Sequence, residues 1–162
     1  MKEKIITAEQ ARATAEQMRE NGSKLVFTNG CFDLLHVGHV RYLEAARALG
    51  DALLVAINGD ESVRALKGEG RPLNRESDRA EVVAALGCVD HVVIFPEVRA
   101  TALLEKVRPA IYVKGGDYTA DSLHADERRA LKGIGTEIRI LPFEAGRSTS
   151  GLLEKIKKLG CE

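Results

Sequence analysis

The 162-residue sequence contains no tryptophan, only 4% aromatic residues and three cysteines, at positions 31, 88 and 161. An odd number of widely separated cysteines matches no zinc-site spacing and fits reduced thiols in the cytosol. No apolar run approaches the length of a membrane span, and the first residues lack the continuous apolar core of a signal peptide. We therefore expect a cytoplasmic protein that is not embedded in a membrane.

An excess of charge of one sign is also missing, because 24 lysines and arginines balance 24 aspartates and glutamates. A neutral chain with few aromatic side chains has no global field for nucleic acid or for an acidic membrane surface. Local basic residues must therefore handle any phosphate group. The length suits one domain over residues 1–162, with a leading helix in residues 1–22 and a core in residues 23–162.

Apolar strands alternate with amphipathic helices along the chain. Thr7 and Gln10 form a capping-box pattern that predicts a helix over Ala8 to Glu20, ended by Asn21 and Gly22. Strands are predicted near residues 24–28, 52–57, 91–95, 110–113 and 137–141. Because the second and third strands are continuously apolar, helices should cover both faces of a parallel sheet. The sequence thus predicts a doubly wound α/β domain, in which ligands bind at the carboxyl ends of the strands.

The segment Thr28 to His39, TNGCFDLLHVGH, follows the first strand and precedes a helix predicted over Val40 to Leu49. His36 and His39 therefore lie about a helix N-terminus, where unpaired amides and the helix dipole favour a bound phosphate. Gly38 has no side chain to keep that phosphate away from the backbone. Either histidine could instead be a helix-cap residue.

Cys31 lies inside this segment and raises two further possibilities. It could join the two histidines at a metal, but the cysteine spacing argues against a zinc site. It could be a nucleophile, but no base for it is recognisable, so we interpret it as a small packing residue.

A glycine-rich stretch from Lys67 to Asn74, KGEGRPLN, is the longest irregular segment, and a helix begins near Arg75 after it. Its two glycines and one proline favour a mobile loop, and Lys67 and Arg71 give it positive charge. The alternative is that these are ordinary solvated surface charges.

Two later segments could also belong to a ligand site. Lys114 to Asp117 follows the fourth strand, although Gly-Gly-Asp is also an ordinary turn sequence. Gly146 to Ser150 precedes a helix predicted over Leu152 to Leu159, so its hydroxyl groups can cap that helix. Capping and phosphate binding are compatible at a helix start.

His36-Val37-Gly38-His39, preceded by residues 30–35, resembles the His-x-Gly-His signature of the nucleotidyltransferase superfamily. Residues 113–118 and 146–150, together with residues 29–31, are similar to the adenylyltransferase domain that makes ADP-heptose for the lipopolysaccharide inner core. The likeness extends from about Leu25 to Leu159. It implies a Rossmann-like five-stranded parallel sheet, direct transfer without a covalent enzyme intermediate, and ATP with Mg²⁺.

The same resemblance implies D-glycero-β-D-manno-heptose 1-phosphate as the acceptor and a homodimer as the assembly. Some relatives carry a fused kinase domain, for which this length leaves no room, so we expect a separate heptose-phosphate kinase upstream. Related enzymes bring a lysine from the region of Lys67 onto the triphosphate and use the loop after the fourth strand around the base and ribose. The segment with Arg147 is then assigned to the β and γ phosphates.

The resulting set of expected site residues has three parts, and metal ligands stay unassigned. The catalytic group is His36, His39, Lys67 and Arg79. The nucleotide-binding group is Thr28, Asn29, Gly30, Cys31, Phe32, Gly38, Lys114, Gly115, Gly116, Asp117, Arg147, Ser148, Thr149 and Ser150. The acceptor-binding group is Asp33, Asn58, Gly59, Asp60 and Arg71, with a capping role as the alternative for Asp33.

Two other functions stay open on the sequence. One is cytidylyl transfer to glycerol 3-phosphate or another small alcohol phosphate. The other is a nucleotide-binding regulatory module without turnover, against which the two histidines, Lys67 and the final Ser/Thr segment argue.

Overall fold

A five-stranded sheet with helices on both faces organises the chain. The computed structural model describes residues 2–116, 123–142 and 149–159, apart from the side chains of Ser150 and Lys157. The strands are β1 (Leu25–Gly30), β2 (Ala52–Asn58), β3 (His91–Phe95), β4 (Ile111–Gly115) and β5 (Glu137–Leu141). The helices are α1 (Ala8–Glu20), α2 (Val37–Arg47), α3 (Asp60–Lys67), α4 (Glu76–Ala84), α5 (Thr101–Val107), α6 (Ala125–Ile134) and α7 (Thr149–Leu159). Within the described ranges, no helix is both long enough and apolar enough to span a bilayer.

The strand order is β3-β2-β1-β4-β5, and every neighbouring pair is parallel. This confirms the predicted doubly wound α/β fold. The order reverses between β1 and β4, which is the position where such sheets open a crevice for ligands. β1 pairs with β2 along its whole length, from Leu25 to Gly30, but with β4 only from Val26 to Thr28. The crevice therefore begins just past Thr28.

Each face of the sheet has its own apolar cluster. Phe27, Leu54 and Tyr112 pack on one face with residues of α1, α5 and α6. On the other face, Val26 and Val55 pack with residues of α2 and α4. Because both faces are covered, all seven residues of β2 are buried, which explains the continuous apolar run from Ala52 to Ile57.

The predicted capping box of α1 is confirmed. The Thr7 hydroxyl accepts from the Gln10 amide at 3.2 Å, and the Gln10 side chain accepts from the Thr7 amide at 2.8 Å. Two other helix starts were predicted too late. The helix α2 begins at Val37 rather than Val40, and α7 begins at Thr149 rather than Leu152. Polar residues that cap or begin a helix extend it beyond the apolar pattern from which its start was predicted.

Candidate active site

A cavity of about 640 Å³ lies at the carboxyl ends of β1, β2 and β4. Twelve of its lining residues belong to the set expected from the sequence: Asn29, Gly30, Cys31, Phe32, Asp33, His39, Asn58, Lys67, Arg71, Lys114, Gly115 and Thr149. The structure therefore brings most of the predicted groups together at the switch point of the sheet. Asp117, Arg147 and Ser148 lie outside the described residues, as does the side chain of Ser150.

The two histidines cap α2 with their own side chains. His36 is the N-cap residue, and its Nδ1 accepts from the Gly38 amide at 3.1 Å. His39 Nδ1 accepts from the His36 amide at 3.3 Å, which closes a capping box made of two imidazoles. Capping uses only Nδ1 of each ring, so the capping interpretation does not exclude a contact between Nε2 and a phosphate. The Gly38 amide, however, is already bonded to His36.

These hydrogen bonds fix the tautomer of each neutral ring. A ring nitrogen that accepts from an amide carries no proton, so the proton of each neutral imidazole lies on Nε2. Burial, together with the neighbouring His36, lowers the pKa of His39 to about 4. His39 is therefore neutral near pH 7 and presents an Nε2–H donor rather than a positive charge. The ring centroids lie 4.0 Å apart, so the two rings form one compact unit.

Phe32 supports this unit from the preceding loop. Its backbone φ of 46° is in the left-handed region, which is uncommon for an aromatic residue. Its ring meets His39 edge to face, with centroids 5.7 Å apart. A Cβ on Gly30 would lie 3.0 Å from the Phe32 ring and would push the ring away, so this packing favours glycine there. Gly30 and Phe32 thus shape the loop and position His39.

Asn29 and Lys114 join the two strands that diverge at the crevice. Asn29 Oδ1 accepts from the Tyr112 hydroxyl at 2.9 Å and from Lys114 Nζ at 3.1 Å. Burial lowers the pKa of Lys114, and the negative charge of Glu127 opposes part of that shift. Lys114 thus places a partly desolvated amine in the cavity, where a phosphate or a ribose oxygen would be a strong partner. Gly116, just past β4, has φ of 101° and donates its amide to Leu141.

Thr28 has a structural role that differs from the predicted nucleotide contact. It is fully buried, and its hydroxyl lies 2.7 Å from the hydroxyl of Tyr42 on α2. Because Tyr42 donates to the Val113 carbonyl at 3.1 Å, Thr28 is the donor of the shorter bond. Tyr42 thus links β1 to β4 exactly where their pairing ends.

Arg79 does not lie in the cavity, which corrects its predicted role on the substrate phosphates. Its side chain is buried, and its guanidinium donates to the carbonyls of Cys31 and Asn74 and to Asp60 Oδ1. Moving this guanidinium onto a phosphate would leave its three acceptors without a donor, so we do not expect Arg79 to bind the substrate. Arg79 instead holds together the loop after β1, the start of α3 and the segment before α4.

Asp33 likewise acts within the protein. Its buried carboxylate accepts from the amides of Leu73 and Asn74, each at 2.9 Å. Arg71 Nε lies 2.8 Å from Asp33 Oδ2 as an ion pair, although its N–H direction misses hydrogen-bond geometry. The predicted acceptor contact of Asp33 is therefore corrected to anchoring of residues 71–74. With residues 71–74 held by these contacts, mobility stays a prediction for residues 67–70.

At the end of β2, Asn58 lies at the cavity, whereas the next two residues contact only other parts of the protein. Asn58 lines the cavity, but its Nδ2 donates to Ser62 and to the carbonyls of Glu97 and Val98. Only its Oδ1 acceptor remains for a ligand. Gly59 and Asp60 are not among the described residues that line the cavity. A Cβ on Gly59 would lie 3.1 Å from Glu76 Oε2, and Asp60 is paired with Arg79 at 2.8 Å, so their predicted acceptor contacts are corrected to scaffold roles.

Cys31 and Thr149 both line the cavity. Burial raises the pKa of Cys31, so the group is a neutral thiol and not an activated nucleophile. Thr149 begins α7 and donates its hydroxyl to the Leu34 carbonyl at 3.3 Å. This bond ties the start of α7 to the loop that carries the histidines, so that helix N-terminus faces the same cavity.

Six lining residues were not predicted from the sequence: Tyr42, Leu66, Val98, Arg99, His124 and Glu127. Tyr42 lies inside a helical pattern and looks like an ordinary core residue. Arg99 and His124 lie in irregular segments with no recognisable motif. A basic residue shortly after a predicted strand was the only available signal, and it applies to Arg99 alone.

Two imidazoles at a helix start, cationic side chains around them and a crevice at the sheet switch point define a nucleotidyltransferase. The cytidylyltransferase-like family matches residues 27–152. The chain belongs to this family of nucleotidyltransferase enzymes.

Several relatives and solved structures are similar to the chain. Bifunctional protein HldE of Geobacter sulfurreducens is 48% identical over 154 residues, which cover 95% of this chain and 29% of that protein. The protein of the same name from Pseudomonas aeruginosa PAO1 is 47% identical over 156 residues, or 96% of this chain and 32% of that protein. This chain thus spans about a third of the length of these curated relatives.

Among solved structures, the lipopolysaccharide core biosynthesis protein from Thermoplasma volcanium has a TM-score of 0.63 and 26% identity. The match covers 76% of this chain and 98% of that one. Pantoate-beta-alanine ligase from Francisella tularensis has a TM-score of 0.57 at 16% identity, over 91% of this chain and 69% of that one. This second likeness concerns the fold alone.

Proposed function

We propose that this enzyme transfers an adenylyl group from ATP to D-glycero-β-D-manno-heptose 1-phosphate, giving ADP-heptose and pyrophosphate for the lipopolysaccharide inner core. The observation that carries the proposal is the match of 48% identity across 95% of the chain to bifunctional protein HldE. It agrees with the resemblance of residues 29–31, 113–118 and 146–150 to the ADP-heptose adenylyltransferase domain. The likeness to a lipopolysaccharide core biosynthesis protein points to the same pathway.

In this reaction an oxygen of the acceptor phosphate attacks the α-phosphorus of the nucleotide. The bond from that phosphorus to the oxygen bridging the α and β phosphates breaks, and pyrophosphate leaves with its electron pair. Both reactants are anions, so positioning and charge stabilisation supply most of the rate enhancement. The Nε2–H groups of His36 and His39 are suited to this task, because they donate to the α-phosphate oxygens without a proton transfer.

Other groups around the cavity neutralise the remaining phosphate charge. Lys67 ends α3 at the cavity edge, and Lys114 lies beside Asn29 on the opposite side of β1. The start of α7 at Thr149 adds a helix N-terminus, which favours the β and γ phosphates. These positions support a nucleotide that lies over β4 and α7.

Mg²⁺ is the metal we propose for the reaction, where it would neutralise charge on the triphosphate. Among the described residues, no three His, Cys, Asp or Glu side chains group to hold a metal ion. The cavity carboxylates of Asp33 and Glu127 already accept from backbone amides. Mg²⁺ commonly keeps its waters and binds through substrate phosphates, so this donor set fits a phosphate-borne ion.

The choice of base is tested by comparing ATP with CTP as donors. We expect kcat/KM for ATP to exceed that for CTP by at least roughly 10²-fold, because the wrong base leaves buried hydrogen-bonding groups unpaired. The assay measures pyrophosphate release with a panel of sugar 1-phosphates and glycerol 3-phosphate. A preference for CTP with glycerol 3-phosphate would replace the proposal with cytidylyl transfer.

Two further parts of the proposal concern assembly and supply. The acceptor carries a phosphate on its anomeric carbon, so a heptose-phosphate kinase must act before this enzyme. We also propose a homodimer, which sedimentation equilibrium of the purified chain would test.

A further inference from the structure

The cavity has a second wall that the histidine segment does not supply. The histidines begin α2, which packs on one face of the sheet, whereas α5 and α6 pack on the other. The segment between β3 and α5 contributes Arg99 to this second wall, and α6 contributes Glu127 near its start. None of the residues of this wall was assigned a role from the sequence.

Buried polar side chains hold the backbone on both sides of Arg99. On one side, Asn58 Nδ2 donates to the Glu97 carbonyl at 3.3 Å and to the Val98 carbonyl at 3.4 Å. On the other, the Ala100 amide donates to Glu127 Oε1 at 3.2 Å. Asn58 is 3% exposed and Glu127 is 6% exposed. Burying an amide and a carboxylate is costly unless both are hydrogen-bonded, so this segment is firmly fixed.

The guanidinium of Arg99 is the uncommitted cation of this wall. In the parts of the chain that the structure describes, Arg99 makes no ion pair or side-chain hydrogen bond. By contrast, Arg71 is paired with Asp33, and Arg79 with Asp60. A cation that lines a cavity without a counter-ion is a ready partner for an anionic ligand.

The order of the strands indicates which ligand this is. Lys114, which we propose as a nucleotide contact, lies on β4, on one side of β1. On the other side, Asn58 ends β2 and Arg99 follows β3. The histidines follow β1 itself and therefore lie between the two groups.

We infer that Arg99 is an acceptor-binding residue, which takes the phosphate of the sugar phosphate by charge-assisted hydrogen bonds. Asn58 Oδ1, the free acceptor of that side chain, takes a hydroxyl group of the same molecule. The fixed backbone around Arg99 positions the guanidinium toward the acceptor, while the histidines bind the α-phosphate. This inference rests on the proposed function and deepens it.

The test compares Arg99→Gln and Arg99→Lys with the wild type and with Arg129→Gln as a matched control. Arg129 lies on α6 with its side chain 81% exposed and does not line the cavity. We expect Arg99→Gln to raise KM for the acceptor by about tenfold or more, with KM for ATP changed by less than about twofold. Arg99→Lys should recover part of the loss, and Arg129→Gln should match the wild type. An unchanged acceptor KM, or an equal rise for ATP, would overturn the inference.

A binding measurement separates this inference from the identity of the acceptor. Calorimetry with a non-hydrolysable ATP or CTP analogue present would titrate a sugar 1-phosphate and glycerol 3-phosphate into each variant. If only glycerol 3-phosphate binds, the proposed function fails, while weaker binding by Arg99→Gln would still support the inference. If the wild type binds either phosphate and Arg99→Gln binds it equally well, the inference is refuted. If the wild type binds neither phosphate, the inference is refuted as well.

Discussion

The histidine pair allows its role in catalysis to be separated from its role in the fold. His36 and His39 cap α2 through Nδ1, and we propose that their Nε2–H groups donate to the α-phosphate, so alanine would remove both functions at once. Two replacements keep the cap. Asn is among the best N-cap residues, and Gln at the third helical position can accept from the N-cap amide. His36→Asn and His39→Gln should therefore retain α2 while losing the imidazole.

The size of the effect follows from the neutral state of His39. Its pKa of about 4 means that it stabilises charge as a hydrogen-bond donor and not as a cation. Removing one pre-organised donor from a developing oxyanion lowers kcat by about 10² to 10³, or about 3 to 4 kcal/mol. We expect His39→Gln to fall in this range. Loss of the capping interaction alone would lower stability by only about 1 kcal/mol and leave kcat intact.

The assay is steady-state pyrophosphate release at saturating ATP and acceptor, beside urea unfolding of each variant. We expect kcat to fall by about 10² or more in both variants, while the unfolding midpoint shifts little. If His36→Asn and His39→Gln both turn over near the wild-type rate, the histidines do not stabilise the transition state. If kcat falls only together with the midpoint, their role is structural.

Three further predictions concern stability and loop order. The pKa of His39 is lowered from 6.5 to about 4 in the folded protein. Between these two pH values the unfolded chain binds a proton at His39 that the folded chain does not. The free energy of unfolding should therefore fall as the pH is lowered from 6.5 to about 4. His39→Gln should flatten this dependence in urea titrations, and an identical slope would refute the assignment. Arg79→Gln should cost about 3 kcal/mol of stability, because it removes a buried guanidinium and leaves two carbonyls and Asp60 without their donor, and a loss below about 1 kcal/mol would contradict this. Hydrogen exchange should slow at residues 67–70 when ATP binds. Asp33→Asn should speed exchange at the amides of Leu73 and Asn74, which Asp33 holds. Unchanged exchange in either experiment would count against the loop assignment.

The order of elements could be predicted because both signals for it are local. Continuously apolar strands and helical spacing along the chain are enough to indicate a parallel sheet covered on both faces, and the structure has that architecture. The loop after β1 was located for a similar reason, since His36 and His39 lie three residues apart within one helical turn. Contacts within a few residues leave a readable pattern.

Roles that depend on distant partners could not be predicted. Arg79 contacts the carbonyl of Cys31, which is 48 residues away, and that contact makes it a scaffold residue. Asp33 accepts from amides about 40 residues away, and no pattern in the sequence indicates this contact either. Arg99 follows a segment fixed by Asn58, about 40 residues earlier in the chain. No spacing rule connects such positions, because their proximity arises only from the order of the strands.

The hydroxyl of Tyr42 has a consequence for how substrate preference can vary in this fold. It joins Thr28 to the Val113 carbonyl where β1 and β4 part, and burial raises its pKa to about 12, so it stays protonated and keeps both bonds. The distance between β1 and β4 at the start of the crevice is therefore held by the Tyr42 side chain, which extends from α2 and bonds to both strands. A shift in specificity toward a larger or smaller substrate must come from residues at the cavity rim, since these bonds hold the gap between the two strands.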